Sequence, residues 1–406
     1  MDKPRFSTLV SQAEKQISFL KSNLAVQFFA SGMKYRLYDN HIDFICTDSK
    51  KAEIIKGYLR NQQANNEMLK AIDSDTHFAT LLFLEGYKYE DNLLSQSSQP
   101  AGPSWDADQW RNEFKNTLNT RDERIKVWRS TLDIVQKGYY ILPDEKRVDL
   151  PLNLNILQES KIYQNELPCI RTDETYTTHI SVKNEDCLAC ARELRNCIAD
   201  DNICVLNLAS YSNPGGGVVG GAGAQEEYLF RCSDYFRSLF QYAHSFDSQS
   251  LYGIPRAKVT YPLDKNFGGV FSRGVTVFRD TEAKGYALLE HPWQVNFVAA
   301  AVPRLDYNLQ RTTIPNSILP IVKNTIRTIF RIAHSNGQRH LVLGALGCGA
   351  FHHPPLHMAQ IFDQIINEQE FSNKFETIIF SIIDDHNAAN NRQSNYDAFK
   401  QVFPNN

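Results

Sequence analysis

Apolar positions along the chain change their period more than once. In "LVSQAEKQISFLKSNLAVQFF" (9–29) they recur at helical spacing, and in "KYRLYDNHIDFICTD" (34–48) they alternate, as in one strand or a hairpin. Together these predict a small α+β module over residues 1–94. "SQSSQPAGPSW" (95–105) is too rich in Ser, Gln, Pro and Gly to bury a core, and residues 95–119 are read as a linker. From Thr120 onward helical segments alternate with short β-rich runs: "HISVKNED", "NICVLNLAS", "VNFVAAAVP", "HLVLGALGCGAF" and "FETIIFSII". That alternation predicts crossover units around a mixed, largely parallel sheet over 120–406.

Composition narrows the class without naming it. The chain has 406 residues, 42% hydrophobic and 22% charged, with a formal net charge of −3. These values suit a globular protein with a sizeable core, and offer no broad basic footprint for nucleic acid. No apolar run is long enough to span a membrane. The start, "MDKPRFSTLVSQAEKQ", lacks the apolar segment and cleavage site of a Sec signal, so a cytoplasmic protein is expected. Delivery into a host cell as a secreted effector would leave no such trace. Eight cysteines are too irregularly spaced for a disulfide framework and are read as reduced thiols. Cys187 and Cys190 form C-x-x-C on a helical pattern with no second pair or nearby histidine, which argues against a metal or redox site.

In sheets of this type ligands sit in the loops beyond the carboxyl ends of the strands. Two such loops are rich in glycine. One, "NLASYSNPGGGVVGGAGAQEEYLF" (207–230), runs an apolar segment into three consecutive glycines and, seven residues later, into Gln225, Glu226 and Glu227. The other, "GCGAFHHPP", precedes a helical pattern, "LHMAQIFDQIINEQ". Glycine lets backbone N–H groups converge on an anion, so a phosphorylated ligand held between the loops is expected. The motifs of P-loop ATPases and of dinucleotide-binding dehydrogenases are both missing. The acidic pair is more than a phosphate cradle requires, although at a helix start it also reads as solvent-facing complement to the helix dipole.

"NPGGG" followed by "QEE" resembles the signature of bacterial-type poly(ADP-ribose) glycohydrolases, a branch of the macrodomain superfamily. "TRDERIKVWRSTLDIVQKGYY", "VKNEDCLACARELR", "VTVFRD", "VNFVAAAVP" and "LGALGCGAF" are similar to that family in the same order, covering about Thr120 to Phe403. The resemblance implies a three-layer α/β/α macrodomain with ADP-ribose across the strand ends. It implies Glu227 as the catalytic carboxylate and Glu226 as the group positioning ribose hydroxyls, with Gln225 beside them. It further implies Asn213, Gly215, Gly216 and Gly217 around the distal ribose, and Gly347, Cys348, Gly349 and Ala350 around the diphosphate. Phe351 would pack on the reacting ribose, and Asp186 would accept the adenine amino group.

The chemistry suits these residue types. Cleavage at ribose C1″ passes through an oxocarbenium-like state, which needs a carboxylate for proton transfer and a cradle that fixes the sugar. The expected substrate is poly(ADP-ribose) or an ADP-ribosylated protein, and the product ADP-ribose, with no metal and no cofactor. "HHPP" departs from the family, and this altered loop makes removal of a single ADP-ribose, arginine-linked first of all, a competing expectation. His352, His353 and His357 are read as surface or ligand-facing histidines rather than zinc ligands, and "DDHNAANN" (384–391) as a polar loop. Two other classes stay open: a non-catalytic ADP-ribose reader, and an interaction protein working through its amino-terminal module.

Overall fold

The computed structural model describes residues 34–37, 42–45, 102–198, 202–308, 311–384 and 393–404. The chain divides into two compact units, one of Met1–Gln99 with Asp247–Ile254, the other of Pro100–Phe246 with Pro255–Asn406. In the first, β1 (Lys34–Leu37) and β2 (Ile42–Ile45) pair antiparallel, so the alternating stretch is a hairpin. The helical pattern at 9–29 and the stretch 95–101 lie outside the described residues, as does most of 384–391.

The second unit contains α1 (Ala107–Asn116), α2 (Thr120–Lys137) and a small hairpin of β3 (Tyr139–Ile141) and β4 (Arg147–Asp149). After these come β5 (Lys161–Tyr163), β6 (His179–Lys183), α3 (Cys187–Ile198), β7 (Ile203–Leu208), α4 (Gln225–Cys232), β8 (Gly269–Arg279) and β9 (Leu288–Ala300). The order closes with α5 (Leu319–Ser335), β10 (His340–Leu343), α6 (Pro355–Ile366), β11 (Thr377–Ser381) and α7 (Asn395–Val402). Seven strands form one sheet in the order β5-β8-β9-β7-β10-β11-β6. The run from β9 to β6 is parallel, and β8 and β5 join antiparallel at one edge.

Strand alternation divides the core. Cys204 and Leu206 of β7, with Val298 and Ala300 of β9, belong to the cluster built with Ile326, Ile329 and Phe330 of α5, Met358 and Phe362 of α6 and Phe399 of α7. The intervening Asn207 and Phe297 point to the other face, where Phe297 stacks on Tyr235 at 4.5 Å. There α3 and α4 pack on β7, and α2 packs on α4. Helices on both faces of a mostly parallel sheet make the three-layer α/β/α architecture. Among the described residues no helix is long and apolar enough to cross a membrane.

The stretch expected as linker up to residue 119 carries folded structure. Asp106 caps α1 by accepting the Gln109 N–H at 2.8 Å. Trp110 is buried, donates Nε1–H to Glu123 O at 2.9 Å, and meets the Tyr286 ring edge-on at 5.2 Å. Trp105 donates to Gly285 O at 2.8 Å beneath the Arg279 guanidinium. Two tryptophans bring enough apolar area to hold a polar, proline-containing stretch on the domain.

Candidate active site

The parallel register pairs Leu208 at the end of β7 with Ala300 at the end of β9, and Val205 of β7 with Val342 of β10. The loops after β7, β9 and β10 therefore leave the sheet side by side. Asp186 follows β6 on the same edge.

Glu226 and Glu227 stand in the first turn of α4, and neither faces solvent; they are 3% and 6% exposed. The solvent-facing reading of this pair is thereby corrected. Ser210 N–H donates to Glu226 Oε2 at 2.6 Å, Gly215 N–H to Oε1 at 3.0 Å, and Asn207 Nδ2 to Oε1 at 3.4 Å. Burial pushes the Glu226 carboxyl up to about 8 against the pull of these donors, and the neighbouring Glu227 adds to the rise. Glu227 Oε1 accepts the Gly217 N–H at 2.7 Å, whereas its Oε2 is buried with no partner among the described residues.

The glycines serve these carboxylates directly. Gly216 has φ +56°, and a Cβ there would lie 2.3 Å from Glu227 Oε1 and 3.0 Å from Glu226 Oε2. The first anion held by this loop is the protein's own, since the amides of Gly215 and Gly217 are already committed. Asn213 gives its backbone to the turn, accepting from Gly216 N–H at 3.0 Å, and its half-buried side chain makes no hydrogen bond to the described residues. Gln225 is spent elsewhere. Its Oε1 accepts the Leu208 N–H at 2.9 Å and its Nε2 donates to Leu206 O at 2.8 Å, so it clamps α4 to the end of β7 rather than reaching toward a ligand.

The second loop has more amides to offer. Cys348 uses its N–H on Ala345 O, within the loop's own turn. The N–H groups of Gly347, Gly349, Ala350 and Phe351 find no acceptor among the described residues. Gly347 has φ +74°, and a Cβ there would meet Val302 at 2.6 Å and His353 at 2.7 Å, which lets this loop press against the one after β9. Gly349 and Ala350 are exposed, while Cys348 and Phe351 are half-buried against the core. Burial pushes the Cys348 thiol up. Four amides of one loop are thus left uncommitted.

The histidines divide. His353 is buried and donates Nε2–H to Pro303 O at 2.7 Å, and burial lowers its basicity. His357 Nδ1 accepts the Ile314 N–H at 2.8 Å, and burial lowers it too. These two brace the loop after β9 and are not ligand-facing. His352 remains half-exposed. Asp186 caps α3 by accepting from Leu188 and Ala189 N–H, and Tyr228 OH donates to the same Oδ1 at 2.7 Å. Desolvation is the main cause raising its carboxyl. Its Oδ2 makes no hydrogen bond to the described residues.

Sequence reasoning missed Asn207, Ser210 and Tyr228. For Asn207 a signal existed: one amide side chain in the otherwise apolar "ICVLNLA" has to be explained by a buried partner. Its Oδ1 has no partner among the described residues, while its Nδ2 also reaches Tyr235 OH at 3.4 Å. Ser210 acts through its backbone, which no residue type announces.

Residues 129–280 match the family model of the microbial-type PARG (poly(ADP-ribose) glycohydrolase) catalytic domain. Among solved structures the chain is similar to poly(ADP-ribose) glycohydrolase from Thermomonospora curvata bound to the inhibitor ADP-HPD, at 26% identity and a TM-score of 0.54. It is similar also to another structure of that enzyme, at 25% identity and a TM-score of 0.55. Each alignment covers 70% of this chain and 100% of the other. No curated protein sequence matches. Residues 129–280, which hold the glycine loop and both carboxylates, thus match the catalytic domain of a glycosidase of microbial PARG type.

Proposed function

We propose that the chain is an ADP-ribose glycosidase that hydrolyses the ribose–ribose linkage of poly(ADP-ribose) and releases ADP-ribose. The observation that carries this reading is Glu227: one carboxylate oxygen fixed by the Gly217 amide, the other buried and unpartnered. A buried acceptor without a partner costs stability and is kept where a ligand or a transferring proton supplies one. In this reading Glu227 gives its proton to the departing ribose oxygen as the C1″ bond breaks, then takes one from the water that attacks the oxocarbenium-like carbon. Glu226, with both oxygens tied to backbone or amide donors, braces the loop and keeps one lone pair on Oε2 for a ribose hydroxyl. The amides of Gly347, Gly349, Ala350 and Phe351 take the diphosphate, Asn213 contacts the distal ribose, Phe351 packs on it, and Asp186 Oδ2 accepts the adenine amino group. Remote binding of the diphosphate positions the sugar for reaction.

The polymer is preferred over an arginine-linked substrate because the feature that favoured arginine has another cause. His353 of "HHPP" and His357 in the turn that follows hold Pro303 and Ile314, so this part of the altered loop answers to its neighbour after β9. A reader without catalysis would also fill Glu227 Oε2 with a ligand hydroxyl, so it is the rate of Glu227→Gln, not ligand affinity, that separates the two readings. The test is a set of time courses on poly(ADP-ribose) and on arginine-, serine- and glutamate-linked ADP-ribose, for the wild type and Glu227→Gln. Polymer breakdown is expected, with turnover lowered roughly 10²-fold or more in the variant and ADP-ribose affinity nearly unchanged. Release from arginine conjugates with the polymer left intact would overturn the substrate, and full activity in the variant would overturn the residue.

A further inference from the structure

The loops after β9 and β10 are tied together on their inner side, where Leu305 N–H donates to Phe351 O at 2.9 Å and His353 holds Pro303. Their outer side carries a cluster that no packing requirement accounts for. The Tyr307 ring is 65% exposed and stands edge-on to the His352 imidazole at 5.1 Å. Arg304, also exposed, brings Nη2 to 3.5 Å from His352 Nε2 and forms no ion pair among the described residues. His352 itself sits at φ +61°, left-handed backbone that a residue with a Cβ adopts at a cost. Its N–H donates to Gly349 O at 3.0 Å, which joins the cluster to the loop with the uncommitted amides.

We propose that Arg304, Tyr307 and His352 form a second nucleotide subsite, which binds the ADP-ribose unit on the far side of the bond being cut. The chemistry fits such a unit. An exposed aromatic face takes a purine base by stacking, and an unpaired guanidinium takes a phosphate by paired N–H donors. His352 adjoins Phe351 in the chain and touches both Tyr307 and Arg304, so the cluster lies next to where the first unit ends in the reading given above. An acidic segment of a modified protein could engage Arg304 but has no planar group for Tyr307, which is why the nucleotide is favoured. The inference rests on the polymer reading of the preceding subsection.

Two measurements on the full chain separate the possibilities: KM for poly(ADP-ribose) and Kd for free ADP-ribose, in the wild type, Tyr307→Ala, Tyr307→Phe and Arg304→Ala. Both side chains are exposed, so folding is not at risk. Loss of one stacked base or one phosphate contact is expected to raise the polymer KM about tenfold in Tyr307→Ala and Arg304→Ala. The ADP-ribose Kd should stay within about twofold of wild type, and Tyr307→Phe, which keeps the ring face, should restore most of the polymer KM. An unchanged polymer KM in an otherwise active enzyme overturns the subsite alone. A parallel rise in KM and Kd assigns the cluster to the first unit and overturns it as well, and so does a loss confined to protein-attached mono-ADP-ribose. A wild type that neither binds ADP-ribose nor cuts the polymer fails the functional reading itself, before any variant is compared.

Discussion

At the scale of single residues, the space left by one missing side chain accommodates the buried Glu227 carboxylate, the group proposed to react. Gly216 combines φ +56° with a Cβ position 2.3 Å from Glu227 Oε1, so Gly216→Ala has to move a buried carboxylate that Gly217 anchors. The left-handed backbone costs an alanine about 1–2 kcal/mol, but with Glu227 as the proposed proton donor the larger effect is on rate, because displacement of such a group by about 1 Å costs on the order of 10²-fold. Turnover in Gly216→Ala is therefore expected to fall about 10²-fold while the protein still melts cooperatively; an active variant would mean that Glu227 tolerates displacement. Glu226 makes a second expectation, about pH. Its folded carboxyl is pushed up to about 8 by burial, above the ordinary carboxylate value. The folded state then binds a proton that the unfolded state has released, and stability falls as pH rises through the window from about 4.5 to about 8, by up to roughly 1.4 kcal/mol per pH unit. Urea midpoints of wild type and Glu226→Gln at pH 5, 6.5 and 8 test this by difference. The wild type should lose ground to the variant as pH rises, and a gap that stays constant would refute the shift.

Among elements, what could be read in advance depended on whether the cause was local. The strands β7, β10 and β11 stand where β-rich apolar runs were broken by helical segments, because burial on both sheet faces demands such runs, while β6 at the sheet edge is only partly buried. α3 and α6 follow the same logic with helical spacing. The glycine loop and acidic pair were visible as residue types, yet the partner of the glycines was not. A ligand was expected where the protein's own carboxylates lie, since Gly215 meets Glu226 and Gly217 meets Glu227 across a turn whose path no propensity encodes. Gln225 shows the limit most plainly. In sequence it is continuous with the two glutamates, but the rotation of about 100° per helical residue sends its amide to Leu206 and Leu208 of β7, away from theirs. β8 was expected only as "VTVFRD" in passing; its eleven residues and its antiparallel place between β5 and β9 come from strand pairing, a tertiary choice.

For the molecule as a whole, the open matter is where the catalytic unit begins. Composition placed its start after residue 119, because polar, proline-containing segments seldom fold by themselves. Trp105 and Trp110 reverse that argument, since each pairs an apolar ring with a satisfied indole N–H on the 285–286 turn or on α2. Arg279 reinforces it. This guanidinium is fully buried, donates to Thr131, Ser130 and the Tyr286 carbonyl, and has its face covered by Trp105; burial lowers its pKa to about 10. Removing residues 100–119 would leave that charge partly wetted on one side and strip an aromatic layer from Tyr286, a loss of several kcal/mol against a total of about 5–15. A chain beginning at Pro100 is therefore expected to be soluble, to melt cooperatively and to keep its activity on poly(ADP-ribose), whereas one beginning at Thr120 should melt roughly 10 °C lower or fail to fold. Thermal melts and polymer assays on the two truncations decide the matter. Equal stability of both would make α1 dispensable, and failure of the Pro100 start would mean that the catalytic unit needs residues from Met1–Gln99 to fold.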